Sequence, residues 1–95
     1  MVKVNKLNGI QVISSDSFTI GEISGTEVDT TSWQITHLHV ALTSDITKEF
    51  GFKKPFLGNI ILCIPIHIVK SIGDVVTLDK ELQQIKRLPE CKSIE

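Results

Sequence analysis

The chain has 95 residues and a formal net charge of −1, from 10 basic and 11 acidic side chains. A chain of this length forms one domain and can bury a modest core without disulfides. The balanced charge gives no broad electrostatic footprint for nucleic acid or anionic lipid. We expect one domain over residues 1–88 and a short tail over residues 89–95.

Neither the N-terminus nor the cysteines indicate secretion. The opening MVKVNKLNG has no apolar stretch long enough for a signal peptide. Cys63 lies in an apolar segment and Cys91 in the polar tail, and these unequal settings argue against a disulfide. Cys63 is expected to act as a small core hydrophobe. The sequence therefore favours a cytoplasmic protein.

The chain up to residue 42 predicts short strands separated by turns, the pattern of a small all-β domain. Apolar spacing predicts strands over residues 10–13, 18–28 and 33–42. The clusters at 14–17 and 29–32 are rich in Ser, Thr and Asp, which favour turns by bonding to their own backbone.

Two of these strands are expected to be irregular. Gly21 and Gly25 interrupt the second strand, and glycine inside a strand indicates a bulge or a tight bend. In the third strand Trp33 and Ile35 fall on one face, whereas Leu38 and its apolar successors fall on the other. This change of phase predicts a β-bulge near residues 36–37.

The only long departure from the β pattern follows the third strand. It predicts a helix over residues 44–50, with Ser44 as N-cap and Gly51 just past the C-terminus. Phe50, Phe52 and Phe56 lie close together here. They either plug one end of a β-barrel or form an exposed patch that binds a partner.

Residues 60–69, IILCIPIHIV, form the longest apolar run. A bilayer span needs about 20 apolar residues, so this run is too short. It also lacks the alternation of a solvent-facing strand, and it predicts a strand covered on both sides. One face fills the barrel, and the other needs cover from the helical segments or from a second subunit, which predicts a homodimer. Pro65 lacks a donor and should lie at an edge or bulge.

The last part of the domain predicts a turn at Gly73-Asp74, a short strand over residues 75–78 and a helix over residues 79–87. Asp79 can cap this helix, and Pro89 ends it. The residues expected to form interaction surfaces are Ile61, Cys63, Pro65, Val69, Phe50, Phe52, Phe56, Leu82 and Ile85.

Two kinds of chemistry-bearing residues stand out. His37 and His39 point the same way on a strand, so both imidazoles could reach one metal ion, with His67 as a third ligand. Without a cysteine or carboxylate at a recognisable ligand spacing, surface or interface histidines are the favoured interpretation. Four carboxylates could meet across a hairpin, but they are better explained as a solvated face: Asp16, Glu22, Glu27 and Asp29.

No motif favours an enzyme or a cofactor. A Gly-x-Ser-x-Gly nucleophile motif and a phosphate-binding glycine loop are both missing from the sequence. Lys48, Lys53 and Lys54 lie near three phenylalanines, a weak match to the basic and aromatic platforms that bind RNA.

Over residues 7–80 the sequence resembles the PRC-barrel domain, a small β-barrel shared by the photosynthetic reaction-centre H subunit and a ribosome-maturation factor. The segments that carry the resemblance are Leu7–Val12, Ser15-Asp16 with Ile20–Ile23, Trp33–Leu38 and, most specifically, Ile64–Leu78. Lys53–Gly58 resembles the stand-alone archaeal branch. The resemblance implies a barrel of about five or six strands with a helical insertion and a C-terminal helix.

For function, the resemblance implies a non-catalytic module that works by contact. Stand-alone archaeal members are similar to cell-division accessory proteins, which dimerise and bind the membrane-anchoring partner of the division ring. We therefore expect a homodimeric adaptor that is cytoplasmic and recruited to the division site. A role in RNA binding or ribosome assembly is the alternative, and a metal-binding or enzymatic role is a distant third.

Overall fold

The computed structural model describes residues 6–51 and 60–88, which form a mostly β domain with two short helices, as the sequence predicts. The elements in chain order are β1 (Gln11–Ile13), β2 (Thr19–Asp29), β3 (Gln34–Leu42), α1 (Ser44–Glu49), β4 (Ile61–Pro65), a 3-10 turn (Ile66–Ile68), β5 (Val69–Ile72), β6 (Val75–Leu78) and α2 (Leu82–Ile85).

All six strands belong to one sheet in the order β4-β3-β2-β1-β6-β5. Neighbouring strands are antiparallel except for β1 and β6, which pair in parallel. Within the described residues the sheet stays open between β4 and β5, so the predicted closed barrel is not formed.

The apolar run 60–69 is divided between the two edges of this sheet. Pro65, which lacks an N–H group, ends β4, and the 3-10 turn Ile66–Ile68 leads to β5 at the opposite edge. The prediction of one continuous strand over this run is therefore wrong. The proline does lie on an edge strand, as predicted.

A β-bulge shifts the register between β2 and β3 where the sequence predicted one. Glu27 lies opposite His37 and Val28 opposite Ile35, which leaves Thr36 as the extra residue. The bulge brings Ile35 to the same face as Leu38, and Ile35 packs against the buried core. A second shift between Ile23 and Gly25 confirms an irregularity in β2.

Gly21 lies where β2 is pressed between β1 and β3. A Cβ atom at this position would lie 2.1 Å from the carbonyl oxygen of Ala41. Only a residue without a side chain allows this approach, so the glycine is required by packing between strands.

The helices differ from the predictions at their N-termini. Thr43, rather than Ser44, caps α1: its side-chain oxygen accepts a hydrogen bond from the Ile46 N–H at 3.2 Å. Gly51 follows the helix with a φ of +80°, as predicted for a C-terminal glycine. The second helix starts later than predicted, with Glu81 rather than Asp79 as its N-cap.

The core is one cluster of buried side chains from the sheet and the two helices. Its fully buried centre comes from five strands and α2: Val12, Ile20, Ile23, Leu38, Val40, Leu62, Ile64, Val76, Leu78 and Ile85. Phe50 is also buried, in agreement with the core-plug alternative for that residue. Phe52 and Phe56 lie outside the described residues.

Within residues 6–51 and 60–88, no helix is both long enough and apolar enough to cross a membrane.

Candidate functional site

The outer face of β2, β3 and β4 gathers the main cluster of chemistry-bearing side chains. Strand register places Glu27 opposite His37, and His39 opposite Cys63. Residues two apart on a strand share a face, so both histidines project outward, away from Leu38 in the core. We call Glu27, His39 and Cys63 the outer cluster.

One oxygen atom, Oε2 of Glu27, lies at the centre of this cluster. It lies 3.0 Å from Nε2 of His39, 3.4 Å from Sγ of Cys63 and 4.0 Å from Nδ1 of His37. A carboxylate only accepts, so the short contact is a hydrogen bond donated by the His39 ring. The Glu27 and His39 side chains are 33% and 26% exposed, which leaves them reachable from solvent.

Cys63 differs from its prediction. Its sulfur is disulfide-bonded, so the expectation of an unpaired core hydrophobe is wrong. The residue is half-buried on the outer face, and a disulfide sulfur has no proton, so the 3.4 Å approach to Glu27 is a contact without a donated hydrogen bond. The only other cysteine of the sequence, Cys91, lies outside the described residues.

The predicted histidine pair is thus on one face, but the third member differs. Glu27 and Cys63 join His39 in a group whose ligand atoms all lie within 4.8 Å of one another. His67 is exposed on the 3-10 turn and does not belong to this group. From the sequence, Glu27 could have been placed near His37 by pairing residues of the two strands in order, starting at the predicted turn 29–32. The bulge at Thr36 shifts this pairing by one residue, so the sequence alone does not fix the residue opposite Glu27.

The predicted interaction residues separate into two sets. Ile61, Cys63, Pro65 and Val69 are half-buried. The other described members, Phe50, Leu82 and Ile85, are 8%, 6% and 0% exposed and serve the core of the monomer. Their assignment to an interaction surface stays a prediction, and the burial of these three side chains gives it no support.

A second surface lies at the tip of the β2–β3 hairpin, which we define as Val28 with Trp33 and call the hairpin tip. Val28 is 39% exposed and Trp33 is 75% exposed. Asp29 shapes the turn: its side chain accepts from the Thr31 N–H at 2.8 Å, and its carbonyl accepts from the Trp33 N–H at 2.6 Å. Trp33 has a left-handed φ of +59°, which sequence alternation alone did not predict.

The four acidic residues do not form one shared face. Glu27 contacts the histidines, whereas Asp16 accepts hydrogen bonds from the Ser14 hydroxyl and from the Leu82 N–H. A separate groove of about 380 Å³ beside the 3-10 turn is lined by both apolar and basic residues, which include Pro65, Ile68, Leu88, His67, Lys80 and Arg87.

The sequence matches none of the models of known protein families, and it matches no curated protein.

Proposed function

We propose that the protein is a non-catalytic protein-interaction module. It acts as a homodimer and as an adaptor for a membrane-anchoring partner in archaeal cell division. The adaptor role follows from the resemblance of residues 7–80 to stand-alone PRC-barrel domains. The observation that supports a role in contact is the exposure of Trp33, which is 75% exposed to solvent.

Trp33 is the only tryptophan in the sequence, and the fold leaves it at the surface. Tryptophan is enriched among the residues that contribute most binding energy in protein interfaces. Its left-handed φ carries a conformational cost of about 1 kcal/mol or more, which the hairpin must offset. Val28, near the end of β2, is a second exposed apolar side chain of the same hairpin. These features favour a docking surface over a structural role for the hairpin tip.

Self-association is supported by the half-buried row on the outer side of β4. Ile61 and Pro65 flank Cys63 there, and β4 pairs only with β3 among the described residues. A row of apolar side chains on an edge strand is a surface that a second copy of the chain can cover. We place the homodimer contact at this row.

The RNA alternative has less support. Stacking on bases requires an exposed aromatic ring beside basic groups. Lys48 is exposed, but Phe50 is buried and offers no ring for stacking. The other residues that suggested this alternative, Phe52, Lys53, Lys54 and Phe56, lie outside the described residues.

Affinity capture from archaeal cells tests the adaptor role. The wild-type chain is expected to retain a membrane-anchoring component of the division ring, identified by mass spectrometry. The variant Trp33→Asn should lose it, because asparagine tolerates a left-handed φ but removes the indole. The control Phe18→Ala removes another large exposed side chain away from the hairpin tip and should retain the partner.

Two results would contradict the proposal. Equal retention by wild type and Trp33→Asn would exclude the hairpin tip as the docking surface. Retention of RNA in place of protein, weakening steeply as salt is raised, would favour the alternative function.

A further inference from the structure

The outer cluster has the donor set of a zinc site, but one of its donors is held in oxidised form. Cys63 offers sulfur, His39 offers an imidazole nitrogen and Glu27 offers a carboxylate oxygen. Mixed sulfur, nitrogen and oxygen donors suit Zn²⁺, which is borderline soft and takes four ligands in a tetrahedron. The disulfide at Cys63 prevents that sulfur from binding as a thiolate.

We propose that reduction of the Cys63 disulfide creates a Zn²⁺ site formed by the Cys63 thiolate, His39 Nε2 and Glu27 Oε2. The site has three protein ligands, and water completes the tetrahedron. This assignment is independent of the hairpin tip, but Cys63 also lies in the β4 row where the homodimer contact is placed, so the Zn²⁺ titration is accompanied by a light-scattering measurement of the molar mass that separates the two claims.

The distances fit this assignment with little movement. Zn–N and Zn–O bonds of about 2.0–2.1 Å and a Zn–S bond of about 2.3 Å place neighbouring tetrahedral donors about 3.3–3.6 Å apart. Glu27 Oε2 lies 3.0 Å from His39 Nε2 and 3.4 Å from Cys63 Sγ. All three donor atoms lie within 4.8 Å of one another, so a small opening of the cluster admits the ion.

The backbone beneath the cluster holds these donors in place. His39 and Cys63 are paired residues on antiparallel strands, and Glu27 lies two positions from Gly25, the residue opposite His39. Donors placed on paired strands need little ordering when the ion binds, which favours affinity. His37 Nδ1 is held instead by the Thr36 hydroxyl at 3.0 Å, which leaves it outside the ligand set.

The redox step balances when a dithiol is the reductant. The dithiol transfers two electrons and two protons, closes to its own disulfide, and leaves two thiols in the protein. Zn²⁺ then binds the Cys63 sulfur as a thiolate, and the displaced proton passes to solvent. At His39 the Nε2 proton is exchanged for one at Nδ1, since a ring nitrogen that binds metal carries no proton.

Zinc binding by the full chain tests the proposal. Protein is reduced anaerobically with a phosphine, which consumes one water and becomes the phosphine oxide, and is then titrated with Zn²⁺ against a chromogenic chelator. The reduced chain should bind one Zn²⁺ at least about 100-fold more tightly than the oxidised chain, since even outer-shell groups contribute about 10–100-fold. Co²⁺ in place of Zn²⁺ should give a thiolate-to-cobalt charge-transfer band only after reduction.

Variants identify the ligands. Cys63→Ser, His39→Gln and Glu27→Gln should each weaken Zn²⁺ binding by the reduced chain by at least about tenfold. The control His67→Gln alters an exposed histidine outside the cluster and should leave the affinity unchanged. Circular dichroism establishes that each variant remains folded.

The variant Cys91→Ser removes the only other cysteine in the sequence. It should bind Zn²⁺ with the affinity of the reduced wild type and without any reductant. The proposal is overturned if the oxidised and reduced chains bind Zn²⁺ equally. It is also overturned if Cys91→Ser abolishes binding by the reduced chain, because Cys91 would then be a ligand.

Discussion

The carboxylate of Asp16 accepts a hydrogen bond from the backbone N–H of Leu82 at 3.1 Å, across 66 residues of sequence. The same oxygen accepts a hydrogen bond from the Ser14 hydroxyl. One acidic side chain therefore joins the turn between β1 and β2 to the start of α2. The Ser14 hydroxyl is the main cause that lowers the pKa of Asp16, and the Leu82 N–H acts in the same direction.

This linkage predicts a loss of stability in acid. Because the pKa of Asp16 is lower in the folded state, its contribution is fully present above the unfolded pKa and is lost as the pH falls through the folded pKa. Asp16→Asn should make the urea midpoint depend less on pH in the acid range. The exposed Asp74→Asn serves as control and should keep the wild-type dependence. Identical acid profiles for Asp16→Asn and wild type would show that the linkage contributes nothing.

Gly21→Ala should destabilise the domain strongly. The added Cβ would lie 2.1 Å from the Ala41 carbonyl oxygen, so β2 and β3 must separate. Overpacking of this kind costs about 1–3 kcal/mol of unfolding free energy, measured by urea denaturation. Gly73→Ala is the matched control: its Cβ would meet nothing within 4 Å, and its stability should change by less than about 0.5 kcal/mol.

Thr43→Ala tests which residue caps α1. The substitution removes the oxygen that accepts from the Ile46 N–H and should cost about 1 kcal/mol. Ser44→Ala, at the position that the sequence favoured as the cap, should change the unfolding free energy by less than about 0.5 kcal/mol, since Ser44 is the first helical residue. A larger loss for Ser44→Ala than for Thr43→Ala would reverse this assignment.

Local features of the fold were predictable where side-chain chemistry decides them. The turn at Asp29, the bulge at Thr36 and the glycine after α1 all follow from short-range signals and are confirmed. The parallel pairing of β1 with β6 joins distant segments, and no local pattern indicates it. The division of the run 60–69 between opposite edges was missed for the same reason, although Pro65 marked the position.

The candidate site was predictable only in part. The shared face of His37 and His39 follows from strand periodicity, whereas the position of Glu27 depends on a register that the bulge alters. The disulfide at Cys63 was not predicted because sequence setting says little about which side chains meet in three dimensions. Trp33 was assigned to a strand, whereas it lies in the turn before β3 with a left-handed φ and is 75% exposed.

The molar mass in solution, measured by light scattering at micromolar concentration, is the most direct test of the homodimeric interaction module. Our account predicts about twice the chain mass of 10.5 kDa. It further predicts a return toward the monomer mass for Ile61→Lys, which places a charge in the half-buried row of β4. A wild-type mass of 10.5 kDa throughout the micromolar range would contradict the account.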